Sequence, residues 1–258
     1  MLKTAIEAAR KAGLMLKENF GTTLDVEHKP DQSLVTNIDK EAERIILDRI
    51  KSVYPSHSVI AEESGKEAGD DYTWIIDPLD GTHNYVRGNV MYGVCIGLAR
   101  REEFVAGVIY LPAFEEMYAA EKGQGAFKND EPIRVSATTE LSQSTLLFDS
   151  GLHEGGDYKL EVFKRISGSV FNVRMLGASS RNLSYLAEGK ADLIVEFDEK
   201  PWDFLAGTVL IREAGGVVSG FDGEPLAVES KRYIAGNGIL NLQMREEVNR
   251  ALGEIGEK

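Results

Sequence analysis

The 258-residue sequence is poor in residues that build thiol and imidazole sites. Its one cysteine, Cys95, lies in the apolar run 90–99, so a disulfide within the chain is excluded and a buried structural role is expected. The four histidines are His28, His57, His83 and His153. They lack the spacing of zinc ligands. His83 is the one near the acidic motif described below, and we interpret it as a loop residue rather than a ligand or a base.

Long apolar runs and an excess of positive charge are also missing. No run approaches the ~20 apolar residues of a transmembrane helix, and the amphipathic N-terminus is not typical of a signal peptide. We therefore expect a soluble, cytoplasmic protein without a membrane partner. Lys and Arg number 29 against 42 Asp and Glu, which gives a net charge of −13 without a basic stripe and argues against a nucleic-acid partner. An acidic protein that handles anions would need bound divalent cations.

Hydrophobic periodicity predicts an α/β protein. Predicted helices span residues 2–20, 37–53, 157–167, 179–188, 202–214 and 239–254. Predicted strands span residues 58–61, 73–77, 91–100, 104–111, 115–120, 124–127, 145–149, 170–174, 191–197, 217–219 and 232–235. The acidic segment 65–71 is predicted to be a mobile loop. Without a repeat or a linker, we expect one domain, 1–258, of two interlocked α/β portions (about 1–140 and 141–258) packed as layers.

The most informative segment is the run Trp-Ile-Ile-Asp-Pro-Leu-Asp-Gly-Thr that begins at Trp74. It is typical of a buried strand that ends in a Pro-led turn, with Asp77 and Asp80 on either side of the turn. Both carboxylates can face one cation, and the carbonyl of Leu79 can add a third oxygen. The Gly-Thr pair that follows can offer backbone amides to a phosphate at a helix start.

Further acids occur at other predicted strand ends and helix starts. Glu62 ends the strand 58–61, whereas Glu63 should point away from it and be solvated. Asp203 follows Pro201 and Trp202, and a simple helix N-cap is the alternative interpretation of this residue. Oxygen ligands with few imidazoles or thiolates favour Mg²⁺, with Mn²⁺ tolerated.

Several of these segments resemble the signature motifs of the inositol monophosphatase family. The matching segments are 34–39 (Leu-Val-Thr-Asn-Ile-Asp), 61–64 (Ala-Glu-Glu-Ser), 74–84, 201–207 (Pro-Trp-Asp-Phe-Leu-Ala-Gly) and 213–216 (Glu-Ala-Gly-Gly). They are ordered and cover nearly the whole chain. The resemblance implies a five-layer α/β/α/β/α sandwich, a homodimer, and Mg²⁺-dependent hydrolysis of a small phosphorylated polyol or sugar.

The resemblance also implies two or three Mg²⁺ ions and their ligands. Glu62, Asp77, Asp80 and the Leu79 carbonyl would hold the activating ion. Asp77, Asp80 and Asp203 would share a second ion, and Glu62 would hold a third with water molecules.

The same resemblance assigns the catalytic residues. The amides of Gly81 and Thr82 would cradle the phosphate, and the Thr82 hydroxyl, paired with Asp39, would orient or deprotonate the attacking water. From the residues alone, Asp39 is a first-turn acid after Thr36 at a helix start. Metal-activated water suits phosphate monoesters, whose loose transition state needs positioning and charge neutralisation.

Substrate contacts are less sharply marked in the sequence. By resemblance, Gly177, Ala178, Ser179 and Glu196 would contact substrate hydroxyls, together with Asp80 and Asp203; helix capping by Ser179 and Ser180 is the alternative. Three basic residues, Arg174, Arg181 and Lys200, are candidates for gripping a second phosphate, or they are ordinary surface residues.

The leading functional hypothesis is hydrolysis of inositol 1-phosphate, with fructose 1,6-bisphosphate as a further substrate. An adenosine 3′,5′-bisphosphate nucleotidase shares the metal motif and is the alternative among enzymes. A regulatory binding protein that uses the same fold, with its acidic surface docking a basic partner, is the alternative of a different class.

Overall fold

Helices and strands alternate along the residues that the structure, a computed structural model, describes: 1–29, 33–152 and 157–256. The helices are α1 (Leu2–Asn19), α2 (Asn37–Val53), α3 (Thr82–Val86), α4 (Tyr158–Ile166), α5 (Ser179–Ala187), α6 (Pro201–Glu213) and α7 (Gly238–Ile255). The first ten strands are β1 (Val26–His28), β2 (Leu34–Thr36), β3 (Ser58–Ala61), β4 (Gly65–Glu67), β5 (Tyr72–Asp80), β6 (Gly93–Arg100), β7 (Glu103–Leu111), β8 (Glu116–Glu121), β9 (Ala126–Lys128) and β10 (Glu131–Pro132). The remaining strands are β11 (Thr145–Phe148), β12 (Asn172–Arg174), β13 (Leu193–Glu196), β14 (Val217–Ser219) and β15 (Tyr233–Gly236). His153 lies outside the described residues.

The strands form two sheets and a separate hairpin of β1 and β2. The larger sheet has eight strands in the order β10-β9-β8-β7-β6-β5-β3-β4, and the smaller has five in the order β12-β11-β13-β15-β14. Most neighbours are antiparallel, but β3 is parallel to β5, and β11 is parallel to both β12 and β13. The carboxyl ends of β3 and β5 therefore lie side by side, which places the acids that follow β3 next to those that end β5.

Three hydrophobic clusters show how the layers pack. Helices α1 and α2 cover one face of the large sheet, and Ala12, Ile46 and Trp74 belong to one buried cluster there. Helices α5 and α6 lie between the two sheets, in a cluster that includes Cys95. Helices α4 and α7 cover the outer face of the small sheet around Phe148. The predicted five-layer α/β/α/β/α sandwich is confirmed, and Cys95 is buried and unbonded as expected.

Helix α6 lies very close to the large sheet. A Cβ atom added to Gly107 of β7 would lie 2.1 Å from the Ala206 carbonyl oxygen, and one added to Gly97 of β6 would lie 2.4 Å from the Leu205 side chain. The two glycines therefore let the helix backbone approach the strands. This approach fixes the depth of the helix start, which carries Asp203.

The structure differs from the sequence prediction at some elements. The segment 65–71 is not entirely a loop, because its first residues form β4 and pair with β3. The hairpin of β1 and β2 and the short strand β10 were not predicted. Their residues are few and mostly exposed, so they carry little hydrophobic periodicity. Across the described ranges, every helix is too short or too polar to cross a bilayer.

Candidate active site

Strand β5 carries two acids at its carboxyl end, but the Pro-led turn predicted between them is wrong. The strand continues through Pro78 to Asp80, and its pairing with β6 shifts register between Asp77 and Asp80. Proline has no amide hydrogen to donate, so it fits an irregularity of this kind better than a regular ladder position. Both acids remain inside the protein, with 2% and 7% of their surface exposed.

Asp77 lies among other acids. Its Oδ1 accepts a hydrogen bond from the Leu79 amide over 3.0 Å. Burial raises the pKa of Asp77 well above its usual value, and the neighbouring charges of Glu62, Asp80 and Asp203 raise it further. The four acids that were predicted to form one site therefore lie within electrostatic reach of one another.

Asp80 receives donors from the start of α5. Its two carboxylate oxygens accept the Ser179 amide over 3.0 Å and the Ser180 amide over 2.8 Å, and the Ser180 hydroxyl also donates to it. The capping alternative for the two serines is therefore wrong, because the residue before the helix is Ala178 and the carboxylate comes from β5. Burial raises the pKa of Asp80, although these hydrogen bonds oppose the rise.

Asp203 begins α6, with Pro201 at the first turn of the helix. Its Oδ2 accepts the backbone amide of Lys200 over 2.7 Å. The N-cap interpretation of Asp203 is wrong, because Lys200 is the N-cap residue and Asp203 holds the helix start from the third helical position. Burial raises the pKa of Asp203 well above normal, and the charges of Glu62 and Asp80 add to the rise. One side chain can thus hold the helix start and face the other acids.

Glu62 and Glu63 both form ion pairs with Lys29, which was not predicted from the sequence. Lys29 Nζ lies 2.7 Å from a carboxylate oxygen of each. Burial raises the pKa of Glu62 to about 7, although Lys29 opposes the rise. The prediction that Glu63 is solvated is wrong, because its side chain is 9% exposed and its amide donates to Glu43 over 2.8 Å.

Asp39 joins a helix start to the Thr82 hydroxyl. Thr36 and Asp39 form a reciprocal capping box at the start of α2, in which Asp39 Oδ2 accepts the Thr36 amide over 2.9 Å. The other oxygen, Oδ1, lies 3.0 Å from the Thr82 hydroxyl, which also lies 2.9 Å from the Leu79 carbonyl oxygen. Burial raises the pKa of Asp39, while its hydrogen bonds lower it. The capping role and the contact with Thr82 therefore coexist.

The turn between the two acids and α3 requires a glycine. Gly81 has a φ of +79°, in the left-handed region that side chains other than glycine rarely adopt. A Cβ added there would also lie 2.7 Å from the Met91 carbonyl oxygen. Gly81 thus lets the backbone turn directly from Asp80 into Thr82.

Glu62, Gly81, Thr82 and Asp203 line one cleft with two adjoining cavities of ≈ 670 Å³ and ≈ 460 Å³. The larger is lined by Gly81, Thr82, His83 and Gly177. The smaller is lined by Lys29, Lys159, Glu199, Lys200 and Asp203. Ser33, Glu62, Ser150 and Gly151 line both. His83 belongs to α3 rather than to a loop.

Two of the basic residues predicted to grip a second phosphate have other contacts. Arg181 is 1% exposed, donates to Glu116 over 2.9 Å, and packs its guanidinium over the rings of Phe114 (4.0 Å) and Tyr185 (4.8 Å). The prediction for this residue is therefore wrong. Arg174 is exposed and donates back to a carbonyl of its own strand, β12, over 2.9 Å. Lys200 does line the cleft.

Other polar side chains of the cleft region were missed or are placed differently. Glu196 is 3% exposed and accepts a hydrogen bond from the Asn182 amide group over 2.8 Å. Lys159 is buried and pairs with Asp149 over 2.8 Å and Asp198 over 3.0 Å. A buried lysine on an amphipathic helix looks like any surface lysine in the sequence, so no local signal identified it.

The acids of the cleft suit a hard divalent cation. Glu62, Asp77 and Asp203 are buried or partly buried, and Glu62 and Asp80 raise the pKa of both Asp77 and Asp203, so a cation would compensate the negative charge of the ionised acids. The donors are carboxylate oxygens and the Leu79 carbonyl, as Mg²⁺ prefers. Within the described residues, no three carboxylates already form a closed coordination shell. Instead, each of the four acids contacts a different partner. Glu62 accepts from Lys29 and Asp77 accepts from the Leu79 amide. Asp80 accepts from the start of α5 and Asp203 from the Lys200 amide.

Comparison with known proteins agrees with this geometry. Residues 1–257 match the sequence profile of the inositol monophosphatase family. A Thermotoga maritima protein named fructose-1,6-bisphosphatase/inositol-1-monophosphatase is 35% identical over 258 residues, covering 100% of this chain and 99% of that protein. The Nus factor SuhB of Escherichia coli strain K12 is 36% identical over 264 residues and covers 98% of each chain.

A solved structure shows the same architecture. The crystal structure of the extragenic suppressor protein suhB from Bartonella henselae superposes with a TM-score of 0.92 at 32% sequence identity. The superposition covers 96% of this chain and 98% of that one.

Proposed function

The chain belongs to the inositol monophosphatase family, and we propose that this phosphatase of small phosphate monoesters acts first on inositol 1-phosphate and more weakly on fructose 1,6-bisphosphate. The observation that supports the proposal is the proximity of Glu62, Asp80 and Asp203 to Asp77, together with a cleft lined by Glu62, Thr82 and Asp203. The name of the Thermotoga maritima relative, which includes both activities, supports this pair of substrates.

Members of this family depend on metal ions, and we propose Mg²⁺ here, with two or three ions bound and Mn²⁺ able to substitute. Glu62, Asp77, Asp80, Asp203 and the Leu79 carbonyl would hold them. When bound, Mg²⁺ supplies positive charge to the phosphate and makes a water molecule acidic enough to attack it.

The chain's own residues would position the reaction. The amides of Gly81 and Thr82 would bind phosphate oxygens where the backbone turns into α3. The Thr82 hydroxyl would hold the attacking water, and Asp39, which already accepts a hydrogen bond from that hydroxyl, would take up the proton. This pair needs no movement of α2, because the capping box fixes Asp39 in place.

The substrate's alcohol portion would lie along the start of α5. Gly177 lines the larger cavity. Ser179 follows two residues later, and its amide donates to Asp80. Ala178 and Ser179 would contact hydroxyl groups there, and Glu196 would do so from β13. Lys200 would be the basic residue nearest to a second phosphate.

Phosphate release tests the proposal directly. The purified protein would be assayed with Mg²⁺ on inositol 1-phosphate, fructose 1,6-bisphosphate and adenosine 3′,5′-bisphosphate side by side. We expect activity in that order, and loss of activity in Asp80→Asn with an unchanged circular dichroism spectrum. Highest activity on the nucleotide would replace the proposal with a nucleotidase, and full activity of Asp80→Asn would refute the metal assignment.

A regulatory role is the second candidate, favoured by relatives named Nus factor SuhB. Cells in which the protein is replaced by Asp80→Asn would separate the two functions. If the cellular phenotype of a deletion is rescued by this variant, binding rather than hydrolysis is the role that matters.

We also propose a single cooperative domain and a homodimer. The large sheet lies within residues 58–132 and the small one within 145–236, with α5 and α6 packed between them. Phe114, Phe171 and Met175 are exposed apolar side chains, at 40%, 76% and 39%, that a second copy would cover. Sedimentation equilibrium of the parent and of Phe171→Ser would test the dimer, and one unfolding transition by calorimetry would test the single domain.

A further inference from the structure

Glu199 lies in the cleft but has no part in the proposed metal site. It precedes the start of α6, and its amide is tied to the Lys231 carbonyl over 2.7 Å. Its half-buried side chain lines the smaller cavity together with Lys200 and Asp203. The backbone tether holds the side chain at this wall of the cleft.

One residue connects Glu199 to the proposed metal centre. The Ser179 amide donates to Asp80 over 3.0 Å, while the Ser179 hydroxyl lies 3.4 Å from Glu199 Oε2. Glu199 is therefore separated from a proposed Mg²⁺ ligand by a single serine. In the proposed binding mode, with the phosphate beside Thr82, the alcohol portion of the substrate would lie near Ser179 and this carboxylate.

The surroundings of Glu199 are acidic and contain a buried hydroxyl. Burial raises the pKa of Glu199 well above its usual value, and the charges of Asp203, Glu196, Asp149 and Asp80 raise it further. The hydroxyl of Tyr233 lies near the same acids, is buried, and has no hydrogen-bond partner among the described residues.

Most positive charge in this wall is already paired. Lys159 is bound between Asp149 and Asp198, and Lys29 is bound between Glu62 and Glu63. Lys200, which follows Glu199 in the chain, is exposed and lines the same cavity. The far part of the cleft, beyond the metal ligands, therefore offers hydrogen-bond acceptors rather than a phosphate clamp.

We propose that Glu199 is a specificity-determining residue, which accepts hydrogen bonds from the hydroxyls of a polyol leaving group and disfavours substrates with a second phosphate. The proposal rests on the proposed phosphatase function and deepens it. A carboxylate forms strong charge-assisted hydrogen bonds with hydroxyl donors. In its ionised form the same group repels a phosphate dianion, and like charges brought together in this way reject the wrong ligand.

The test compares two substrates in one variant. In Glu199→Gln, kcat/KM for fructose 1,6-bisphosphate divided by kcat/KM for inositol 1-phosphate should rise about tenfold, which corresponds to about 1.4 kcal/mol. The change should appear mainly in KM, because Glu199 does not touch the reacting atoms in this scheme. Glu246→Gln, on the exposed face of α7, removes the same charge away from the cleft and should leave the ratio unchanged.

Several outcomes would overturn the proposal. An unchanged or lower ratio in Glu199→Gln would do so, as would an equal rise in Glu246→Gln. If the parent hydrolyses neither substrate, the proposed function itself has failed, which is a distinguishable result. If Glu199→Gln does not fold, the parent still gives an answer: added salt screens repulsion, so its ratio should rise with ionic strength, and a fall would show attraction of the second phosphate instead.

Discussion

The Thr82 hydroxyl lies 3.0 Å from Asp39 Oδ1, although the two residues are 43 positions apart in the chain. The contact joins the start of α3, beside the acids of β5, to the start of α2. Because Thr36 holds the other carboxylate oxygen of Asp39, the capping box aims Oδ1 at the threonine. Asp39 is thus both part of a helix cap and the proposed proton acceptor.

Removing the Thr82 hydroxyl should slow turnover. In Thr82→Val, which keeps the shape of the side chain, we expect kcat for inositol 1-phosphate to fall about 10²–10⁴-fold, the usual contribution of a positioned proton-transfer group. Thr82→Ser keeps the hydroxyl and should retain most of the activity. Steady-state kinetics with saturating Mg²⁺ would measure both, and an active Thr82→Val would remove the threonine from the mechanism.

Stability in EDTA should fall as the pH rises. Burial raises the pKa of Glu62 from 4.5 to about 7 and that of Asp77 well above its usual value. A carboxyl whose pKa is higher in the folded protein binds more protons when folded. Its stabilising contribution is therefore complete below the unfolded pKa and is lost as the pH rises through the folded one.

For Glu62 this window runs from 4.5 to about 7. Urea unfolding in EDTA across the window should show a falling midpoint, and saturating Mg²⁺ should reduce the fall because it stabilises the ionised carboxylates. Glu62→Gln should show a shallower dependence on pH than the parent. Equal slopes for the two proteins would contradict the prediction.

Asp77→Asn should raise the stability of the protein in EDTA and remove its activity. The substitution removes a buried charge from among three other acids, so the melting temperature in EDTA should rise by a few degrees. The stabilisation of the parent by Mg²⁺ should be largely lost, together with activity. Asp222→Asn, at an exposed turn position, removes a charge without either effect. A melting temperature in EDTA below that of the parent would show that Asp77 is not repelled by its neighbours.

The parts of the site that the sequence predicted have strong local signals. The capping box of Thr36 and Asp39, the apolar run into Asp77, and the proline before Asp203 can all be identified within a few residues. That Asp39 would meet Thr82 followed from the family resemblance and not from the pattern, because the contact depends on how α2 packs beside β5. Similarly, the parallel pairing of β3 with β5 brings Glu62 to Asp77, and no short segment encodes that pairing.

The errors have equally specific causes. Arg181 was assigned to the cleft because it follows Ser180 in sequence, but α5 turns it to the opposite side, where Glu116 and two aromatic rings enclose it. Strand β4 was predicted as part of a loop because the segment 65–71 is acidic and contains glycine, and its three exposed residues give no hydrophobic alternation that would indicate a strand. Lys29 was missed because its carboxylate partners are more than 30 positions away.

Lys159 should be a major contributor to stability. Its buried ammonium group links Asp149, at the end of β11, to Asp198 in the turn before α6. Lys159→Met would leave the buried Asp149 carboxylate unpaired, and loss of one partner of a buried pair typically costs about 3–5 kcal/mol. Lys164→Met on the same helix removes an exposed lysine and should cost less than about 1 kcal/mol. Urea unfolding would measure both, and equal costs would contradict the prediction.

The close approach of α6 to β7 gives a prediction that links packing to the site. In Gly107→Ala, the new methyl group would meet the Ala206 carbonyl oxygen at 2.1 Å, so the helix must move outward and carry Asp203 with it. We expect a loss of about 1–3 kcal/mol, together with weaker Mg²⁺ activation of phosphate release. Gly253→Ala in α7 has open space around the new methyl group and should instead stabilise the protein by about 0.5–1 kcal/mol. If Gly107→Ala kept both the parent stability and the parent Mg²⁺ dependence, the depth of α6 would not be what places Asp203 among the other acids.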